Sequence, residues 1–395
     1  MKSKSEDETT KEINSAKPLD EYDLLCFSHL RWDFVYQRPQ HLLSRFARAG
    51  RVFFIEEPLF DDGAARLEIS PREDHLFVVV PHLPHGTDEK TIGERLAQLL
   101  DDLITERRIE AFVSWYYTPM MIEWSGHLKP RAIVFDSMDE LSLFKFAPPA
   151  LLENERKLFA AADVVFTGGQ SLFEAKRDRH ENIHAFPSSI DVKHFAKAFA
   201  VTGEPEDQKQ IAHPRIGFFG VIDERLDIEL LGEIAALKPD WQFIMIGPIV
   251  KINENDLPRS PNIHYLGGKK YDELPEYLAG WDVAVMPFAL NESTRFISPT
   301  KTPEYLAAGK PVVSTPIRDV VRPYGELNLT YIAADAQEFV VAIEKALGED
   351  AQERQRKVDA FLSNTSWDKT FEAMKALIDQ AVMARKLLAI AATDA

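Results

Sequence analysis

Short apolar runs alternate with amphipathic segments along almost the whole chain, and the rhythm starts twice. In the first half, apolar runs predict strands at 23–27, 51–55, 76–80, 111–115, 132–135 and 164–166. Helical spacing of apolar residues predicts a helix that begins near Pro39 and another at 91–107. Strands with continuous apolar runs are typical of a parallel sheet that is covered by helices on both faces.

The second half repeats this pattern after a polar stretch. We predict a linker within 193–214, because the chain there turns polar and ends at Pro214. Strands follow at 215–219, 242–246, 263–266, 283–286, 311–314 and 330–332, with helices at 227–237, 274–278, around Glu304 and at 336–347. Two terminal helices, 351–362 and 369–390, are predicted with Trp367 between them. The sequence therefore predicts an α/β fold with two Rossmann-like domains, at 21–200 and 211–365.

The stretch 298–313, SPTKTPEYLAAGKPVV, predicts a loop, a short helix, a tight turn and a strand. Thr302 is placed at the N-cap, and Pro303 at the first helical position. Gly309 fits the left-handed residue that ends a helix. Lys301 is then expected just before the helix N-terminus, with Glu304 in the first turn.

This arrangement suits a nucleoside diphosphate. The helix N-terminus and the Lys301 charge attract phosphate groups, whereas a carboxylate repels them. Glu304 is therefore expected to accept hydrogen bonds from two vicinal ribose hydroxyls. The alternative is that Glu304 only complements the helix dipole and that Lys301 is solvated.

A second cation is expected in the turn GFFGVIDERLD. Gly220 ends a strand, and Asp227 is a plausible N-cap for the next helix, so that Arg225 is presented beside a second helix N-terminus. The alternative is a surface arginine that pairs with Asp223 or Asp227.

The motif P-x-K-x-x-E-Y-L-A-x-G-K-P-V-V, from Pro299 to Val313, resembles the donor-binding signature of group-1/family-4-like glycosyltransferases with the GT-B fold. The resemblance implies two facing Rossmann-like domains with a deep cleft between them, and a C-terminal helix at 366–395 that returns to the first domain. It implies that Lys301 binds the diphosphate of a nucleotide sugar, that Glu304 binds its ribose, and that Arg225 is the other diphosphate contact. Retaining members carry another Glu eight positions before the ribose-binding one; here that position is Phe296, which leaves the stereochemical outcome open.

Further donor-side candidates surround this motif. Side chains that could bind sugar hydroxyls or a phosphate are Asn291, Thr294 and Ser298, although loop capping is an equal alternative for each. Tyr271 follows a strand and Gly267-Gly268, and it is expected to border the nucleotide base.

A transferase needs a general base that deprotonates the acceptor hydroxyl, and the first half of the chain contains the candidates. The candidates, in order, are Asp139, Asp136 and His29, at the predicted carboxyl edge of the sheet; capping of a helix or loop is the alternative. The segment SHLRWDFVYQRPQH resembles an N-terminal motif of a bacterial subset of these transferases, and its acceptor-side candidates are His29, Arg31, Trp32, Gln37 and Arg38. The aromatic residues 115–117 either stack on sugar rings or belong to the core.

The composition argues against some classes of function. The 395 residues carry a net charge of −17, which argues against non-specific nucleic-acid binding. Cys26 is the single cysteine and is expected to be buried. Residues 1–20 are polar and are expected to be a disordered tail. No apolar run approaches the roughly 20 residues that span a bilayer. We therefore expect a cytoplasmic protein, with peripheral contact at the inner face of the membrane left open.

Taken together, the sequence predicts a glycosyltransferase that moves a sugar from a nucleotide diphosphate sugar to a hydroxyl of a carbohydrate or lipid-linked acceptor in cell-envelope polysaccharide synthesis. Uridine is the expected base by family frequency. No tight Asp-x-Asp pair or His/Cys cluster argues for a metal, and no cofactor beyond the donor is expected. The alternatives are a nucleotide-sugar 2-epimerase of the same fold and a catalytically silent nucleotide-sugar binder.

Overall fold

The computed structural model describes residues 22–393, so that the tail predicted at 1–20 lies outside the described residues. The first sheet contains β1 Asp23–Ser28, β2 Val52–Glu56, β3 Leu59–Asp61, β4 Arg66–Glu73, β5 Leu76–Pro84, β6 Phe112–Tyr116, β7 Ala132–Ser137, β8 Val164–Thr167 and β9 Ile183–Ala185. Its strand order is β3-β5-β2-β1-β6-β7-β8-β9, and all of these pairs are parallel. The strand β4 pairs antiparallel with β5.

The second sheet is parallel throughout. It contains β10 Arg215–Phe219, β11 Gln242–Ile246, β12 Ile263–Gly267, β13 Val283–Met286, β14 Val312–Ser314 and β15 Tyr331–Ile332, in the order β12-β11-β10-β13-β14-β15. The two parallel sheets confirm the predicted α/β architecture, and three strands match their predicted bounds to the residue.

The helices that connect these strands are α1 Arg38–Phe46, α2 Glu89–Glu106, α3 Ile122–Ser125, α4 Leu151–Ala161, α5 Gln170–Lys176, α6 Val192–Phe195, α7 Ile228–Leu237, α8 Leu274–Ala279, α9 Lys301–Ala307, α10 Arg318–Val320, α11 Ala336–Leu347, α12 Ala351–Leu362 and α13 Trp367–Thr393. Within residues 22–393, no helix is long and apolar enough to cross a membrane.

Apolar side chains form a core on each face of the first sheet and one larger core around the second sheet. The long helix α13 belongs to the first domain, because Trp367, Met374 and Ile378 are buried in one of the cores beside the first sheet. The preceding helix α12 contributes Val358 and Leu362 to the core of the second domain. The chain therefore crosses between the domains a second time, just before Trp367.

Three local predictions need correction. Trp367 is the first residue of α13 and does not lie between two helices. The stretch predicted as a linker is mostly exposed, but it starts within the second domain and is anchored at a few points: Phe195 and Ala198 are buried in the core of that domain, and the buried Gln208 accepts a hydrogen bond from Trp281 Nε1 at 2.9 Å. Because most residues of this stretch are polar or charged, the sequence pattern did not indicate its buried positions. The short strands β3 and β4 were missed because β4 is mostly exposed and lacks an apolar run.

The two domains contact each other beside the ends of their strands. Asp319 accepts a hydrogen bond from the backbone N–H of Ser171, at the start of α5, at 3.0 Å. Ser188 Oγ donates to the carbonyl of Ser298 at 2.7 Å. Arg318 also pairs with Glu174 across the interface. These contacts bring the carboxyl edges of the two sheets to face one another.

Candidate functional site

Lys301 is a half-buried cation at the start of α9. Its ammonium lies 5.8 Å from the centre of the Phe218 ring, and no hydrogen bond or ion pair to it exists within residues 22–393. Burial and the neighbouring Arg225 charge lower the pKa of Lys301, whereas Glu304 acts in the opposite direction. An ammonium that is partly removed from water and has no hydrogen-bond acceptor in the protein loses solvation free energy, and such a group beside a carboxylate in a cleft commonly marks a binding site.

Glu304 is buried in the first turn of α9, where the sequence placed it. Its carboxylate also lacks a hydrogen bond within the described part of the chain, and burial raises the pKa of Glu304 against the opposing effect of Lys301. Two unsatisfied charges of opposite sign therefore lie close together, able to accept a ligand that offers both an anion and hydroxyl donors.

The start of α9 differs from the prediction. The helix begins at Lys301 itself, with Thr300 at the N-cap and no side-chain cap, so Pro303 is the third helical residue. Thr302, predicted as the N-cap, is instead buried, with its Oγ1 3.6 Å from Met286 Sδ. Gly309 has φ +74°, which confirms the predicted left-handed end. Thr300 and Thr302 both fit the N-cap position, so the sequence left the start of the helix ambiguous by two residues.

Gly220 lies directly beneath Lys301. It has φ +145°, and a Cβ atom placed there would lie 2.1 Å from Lys301 Cε. Glycine is therefore required both by the backbone conformation and by the space that the lysine occupies. Tyr305, whose side chain no prediction used, fixes this turn: its hydroxyl accepts a hydrogen bond from the N–H of Phe219 at 2.9 Å.

Arg225 is held by Asp223, as its alternative interpretation expected. The guanidinium donates to both Asp223 oxygens, with Nη2 2.7 Å and Nε 3.0 Å from the nearest one. Its Cζ also lies 5.7 Å from the centre of the Phe144 ring, which belongs to the first domain. The arginine is thus both orientated by Asp223 and positioned at the domain interface, near Lys301.

Asp139 and His29 face this cluster from the first domain. Burial raises the pKa of Asp139 to about 6, although Arg225 and Arg38 oppose the rise. Burial and the charge of Lys251, in the second domain, lower the pKa of His29 to about 4. Each side chain therefore lies within electrostatic reach of a cation across the interface.

Asp136 is in a different environment. It is fully buried and bidentate with Arg38, at 3.0 Å for both hydrogen bonds, and Arg38 also donates to the carbonyl of Phe186 at 2.7 Å. The structure therefore pairs two predicted site residues, one from the base candidates and one from the acceptor side, in a buried ion pair.

The remaining acceptor-side candidates organise their own loop. Arg31 Nη1 donates to Glu56 Oε2, and the backbone N–H of Trp32 donates to Glu56 Oε1, both at 2.8 Å. Trp32 is buried against Phe54. Gln37 is the N-cap of α1. Glu56, which no pattern singled out, therefore holds this loop in place. The aromatic residues 115–117 are all buried.

Three donor-side candidates support the loop before α9. Asn291 caps a short turn by accepting from the N–H of Ser293 at 2.9 Å, and the buried hydroxyl of Thr294 bonds back to the carbonyl of Asn291 at 3.1 Å. The carbonyl of Ser298 receives the hydrogen bond from Ser188 described above. Asn291 and Thr294 thus have the capping role that their alternatives expected, whereas Ser298 contributes its backbone carbonyl to the interface.

Tyr271 joins the domains through stacking. Its ring lies 4.1 Å from that of His194 and 4.4 Å from that of Tyr36, a first-domain residue that the sequence analysis did not select. Its hydroxyl is buried without a hydrogen bond, and burial, followed by the charge of Glu304, raises the pKa of Tyr271. This hydroxyl is therefore a further polar group without a hydrogen bond among the described residues, and it lies within electrostatic reach of Glu304. Within the described residues, no group of three or more His, Cys, Asp or Glu side chains could hold a metal ion.

Comparison with known proteins identifies the second domain. Residues 213–349 match the family Glycosyl transferases group 1. The chain is also 24% identical over 300 residues to a protein of Bacillus subtilis (strain 168) named putative teichuronic acid biosynthesis glycosyltransferase TuaH, an alignment that covers 70% of this chain and 74% of that protein.

Solved structures with the same fold cover nearly the whole chain. Sucrose-phosphate synthase from Thermosynechococcus elongatus is similar with a TM-score of 0.68 and 14% identity, over 92% of this chain and 100% of that chain. HepE of Anabaena, solved in complex with UDP and glucose, gives a TM-score of 0.62 and 14% identity, over 91% of this chain and 99% of that chain. An Escherichia coli structure named for trehalose-6-phosphate and bound with UDP-2-fluoro glucose gives 0.67 and 14%, over 91% and 99%. Residues 213–349 are therefore similar to glycosyl transferases of group 1, and the chain as a whole has the GT-B fold of these structures.

Proposed function

We propose that this protein transfers a sugar from a uridine diphosphate sugar to a hydroxyl of a carbohydrate or lipid-linked acceptor. The observation that carries the proposal is a pair of opposite charges in the second domain, the half-buried Lys301 and the buried Glu304, which have no hydrogen-bond or ion-pair partner among residues 22–393. A diphosphate supplies the anion that Lys301 lacks, and ribose supplies two hydroxyl donors for Glu304. Two of the similar structures contain UDP or a UDP sugar, which supports uridine as the base.

Catalysis follows from the charge that develops on the leaving group. The bond between the anomeric carbon and the phosphate oxygen breaks, and the diphosphate gains negative charge. Lys301 and Arg225 stabilise that charge more strongly in the transition state than in the substrate, which lowers the barrier. Because two cations of the chain neutralise the leaving group, the proposed reaction needs no metal. The acceptor oxygen attacks, and its proton passes to a base on the first domain.

The name of the Bacillus subtilis relative supports an acceptor in envelope polysaccharide synthesis. A lipid-linked acceptor of that kind would bring the protein to the inner face of the cytoplasmic membrane.

The proposal is tested by mixing the purified protein with UDP sugars, with and without acceptor extracts, and measuring UDP release. We expect release that depends on the acceptor and persists in EDTA. Glu304→Gln should retain the fold but lower the affinity for UDP by about ten- to a hundredfold, because one charge-assisted contact contributes about 1.5–3 kcal/mol. Interconversion of two UDP sugars without release would instead identify an epimerase, and binding without turnover would identify a silent protein.

The pH profile distinguishes the base candidates. If Asp139 accepts the proton, kcat/KM should rise with pH and level off above about 6, because Asp139 is protonated below that value. A rise centred near 4 would assign the role to His29. The affinity for UDP over the same pH range is the control, since it depends on Lys301 and Glu304 but not on the acceptor proton. A flat profile down to pH 4 would contradict the assignment to Asp139.

A further inference from the structure

Glu224 is a buried carboxylate that the proposed chemistry does not use. It lies in the loop after β10, immediately before Arg225, and its side chain is only 4% exposed. Neither carboxylate oxygen has a hydrogen-bond partner within residues 22–393. The nearest cation is Lys251, whose Nζ lies 4.0 Å from Oε1. The backbone is fixed, because the carbonyl of Glu224 accepts a hydrogen bond from Asn291 Nδ2 at 3.2 Å.

Such a group is costly to maintain. A buried carboxylate that accepts no hydrogen bond loses the solvation it had in water, and one cation at 4.0 Å does not replace several donors. Buried polar atoms in folded proteins are nearly always satisfied, so that an exception calls for a missing partner. Donors on a ligand, such as hydroxyl groups, would satisfy both oxygens of Glu224.

The surroundings of Glu224 indicate where that ligand lies. Phe144, from the first domain, lies over both neighbouring cations: its ring centre is 5.6 Å from Lys251 Nζ and 5.7 Å from Arg225 Cζ. Across the interface, the buried His29 Nδ1 also lacks a hydrogen bond. An aromatic ring, an unsatisfied carboxylate and an unsatisfied imidazole nitrogen together resemble the apolar and polar surfaces that bind a sugar.

We propose that Glu224 forms the subsite for the sugar being transferred, accepting hydrogen bonds from its hydroxyl groups while Phe144 covers an apolar face of the ring. The inference rests on the proposed function, in which the adjacent Arg225 binds the diphosphate to which this sugar is bonded. Lys251 orientates the Glu224 carboxylate from the next loop. Sugar selectivity therefore resides at the domain interface, with Glu224 and Phe144, separately from nucleotide binding by Lys301 and Glu304.

The test distinguishes the contribution of the sugar to the donor affinity from that of the nucleotide. Calorimetry measures the affinity of the full-length protein for UDP and for UDP-glucose, UDP-galactose, UDP-N-acetylglucosamine and UDP-glucuronate. We expect at least one UDP sugar to bind the wild type more tightly than UDP. In Glu224→Gln, its affinity should fall by about ten- to a hundredfold, as expected for a lost charge-assisted contact, while the affinity for UDP stays within about twofold.

Glu292→Gln is the matched control. Glu292 lies in the neighbouring loop, is 67% exposed and pairs with Arg295 at 3.3 Å, so its substitution should change neither affinity. The melting temperature of unliganded Glu224→Gln tests the structural alternative. It should equal or exceed the wild-type value, because an unsatisfied buried charge is removed. A lower melting temperature would indicate an ordinary stabilising ion pair with Lys251 and would overturn the inference.

Two further results overturn the inference and leave nucleotide binding intact: a wild type that binds no UDP sugar more tightly than UDP, or a Glu224→Gln variant that retains the full preference. Failure of UDP itself to bind would overturn the proposed function, and with it this inference.

Discussion

Lys301→Ala is expected to lower kcat/KM for the donor by about ten- to a thousandfold. One charge-assisted contact contributes about 1.5–3 kcal/mol, and its effect grows where water is excluded and where the diphosphate gains charge in the transition state. The measurement is the rate of UDP release with acceptor present, together with the rise in melting temperature that UDP produces. The variant should lose most of that rise.

Two controls make the Lys301 result specific. Lys301→Arg keeps the positive charge and should recover part of the activity, although its planar head fits the space differently. Lys345→Ala, at an exposed site in α11, should leave the rate unchanged. Unliganded Lys301→Ala should melt within a few degrees of the wild type, since no hydrogen bond or ion pair of the ammonium is lost. Undiminished turnover in Lys301→Ala would contradict the proposed role.

Gly220→Ala is expected to have a comparable effect through sterics alone. The added Cβ would lie 2.1 Å from Lys301 Cε and 2.7 Å from Nζ, so the lysine must move. The backbone at φ +145° is also one that alanine rarely adopts, at a cost of about 1–3 kcal/mol. We expect kcat/KM to fall at least tenfold, with a lower melting temperature measured in parallel.

A double variant separates the two effects of Gly220→Ala. If the activity loss comes from the displaced lysine, Gly220→Ala should lower activity far less in a Lys301→Ala background than in the wild type. Gly93→Ala is the control, because that helical glycine has no atom within 4 Å of the added Cβ, and alanine there should stabilise the helix. Wild-type activity in Gly220→Ala would show that the lysine can be repositioned without cost.

The sequence predicted the local elements well where a single physical signal dominated. The strand Arg215–Phe219 and the helix Ala336–Leu347 were predicted to the residue, because an uninterrupted apolar run and a regular amphipathic pattern each admit one interpretation. The start of α9 was placed wrongly, because Thr300 and Thr302 both fit the N-cap position. Trp367 was wrongly placed between two helices, because its burial depends on a sheet that is more than 200 residues away in the sequence.

The candidate site was predictable only in part, because several of its contacts join residues that are far apart in the sequence. Two short segments hold the predicted donor residues: the motif with Lys301 and Glu304, and the turn with Gly220. The order of the strands in the second sheet brings these two segments together. The ion pair between Arg38 and Asp136 joins residues 98 positions apart, and neither side chain reveals its partner in the sequence. Glu224, Lys251 and Phe144 follow no motif, so that only their burial and contacts distinguish them from ordinary surface residues.

The sequence by itself determined the two-domain α/β architecture and the charged pair of the donor motif, because apolar periodicity and the residue chemistry of short segments are local properties. Only the tertiary structure decided which charges are satisfied. Asp136 is neutralised by Arg38, Arg225 is held by Asp223, and Glu224 accepts no hydrogen bond. The free energy of a buried charge depends on every group packed around it, and these neighbours come from distant parts of the chain.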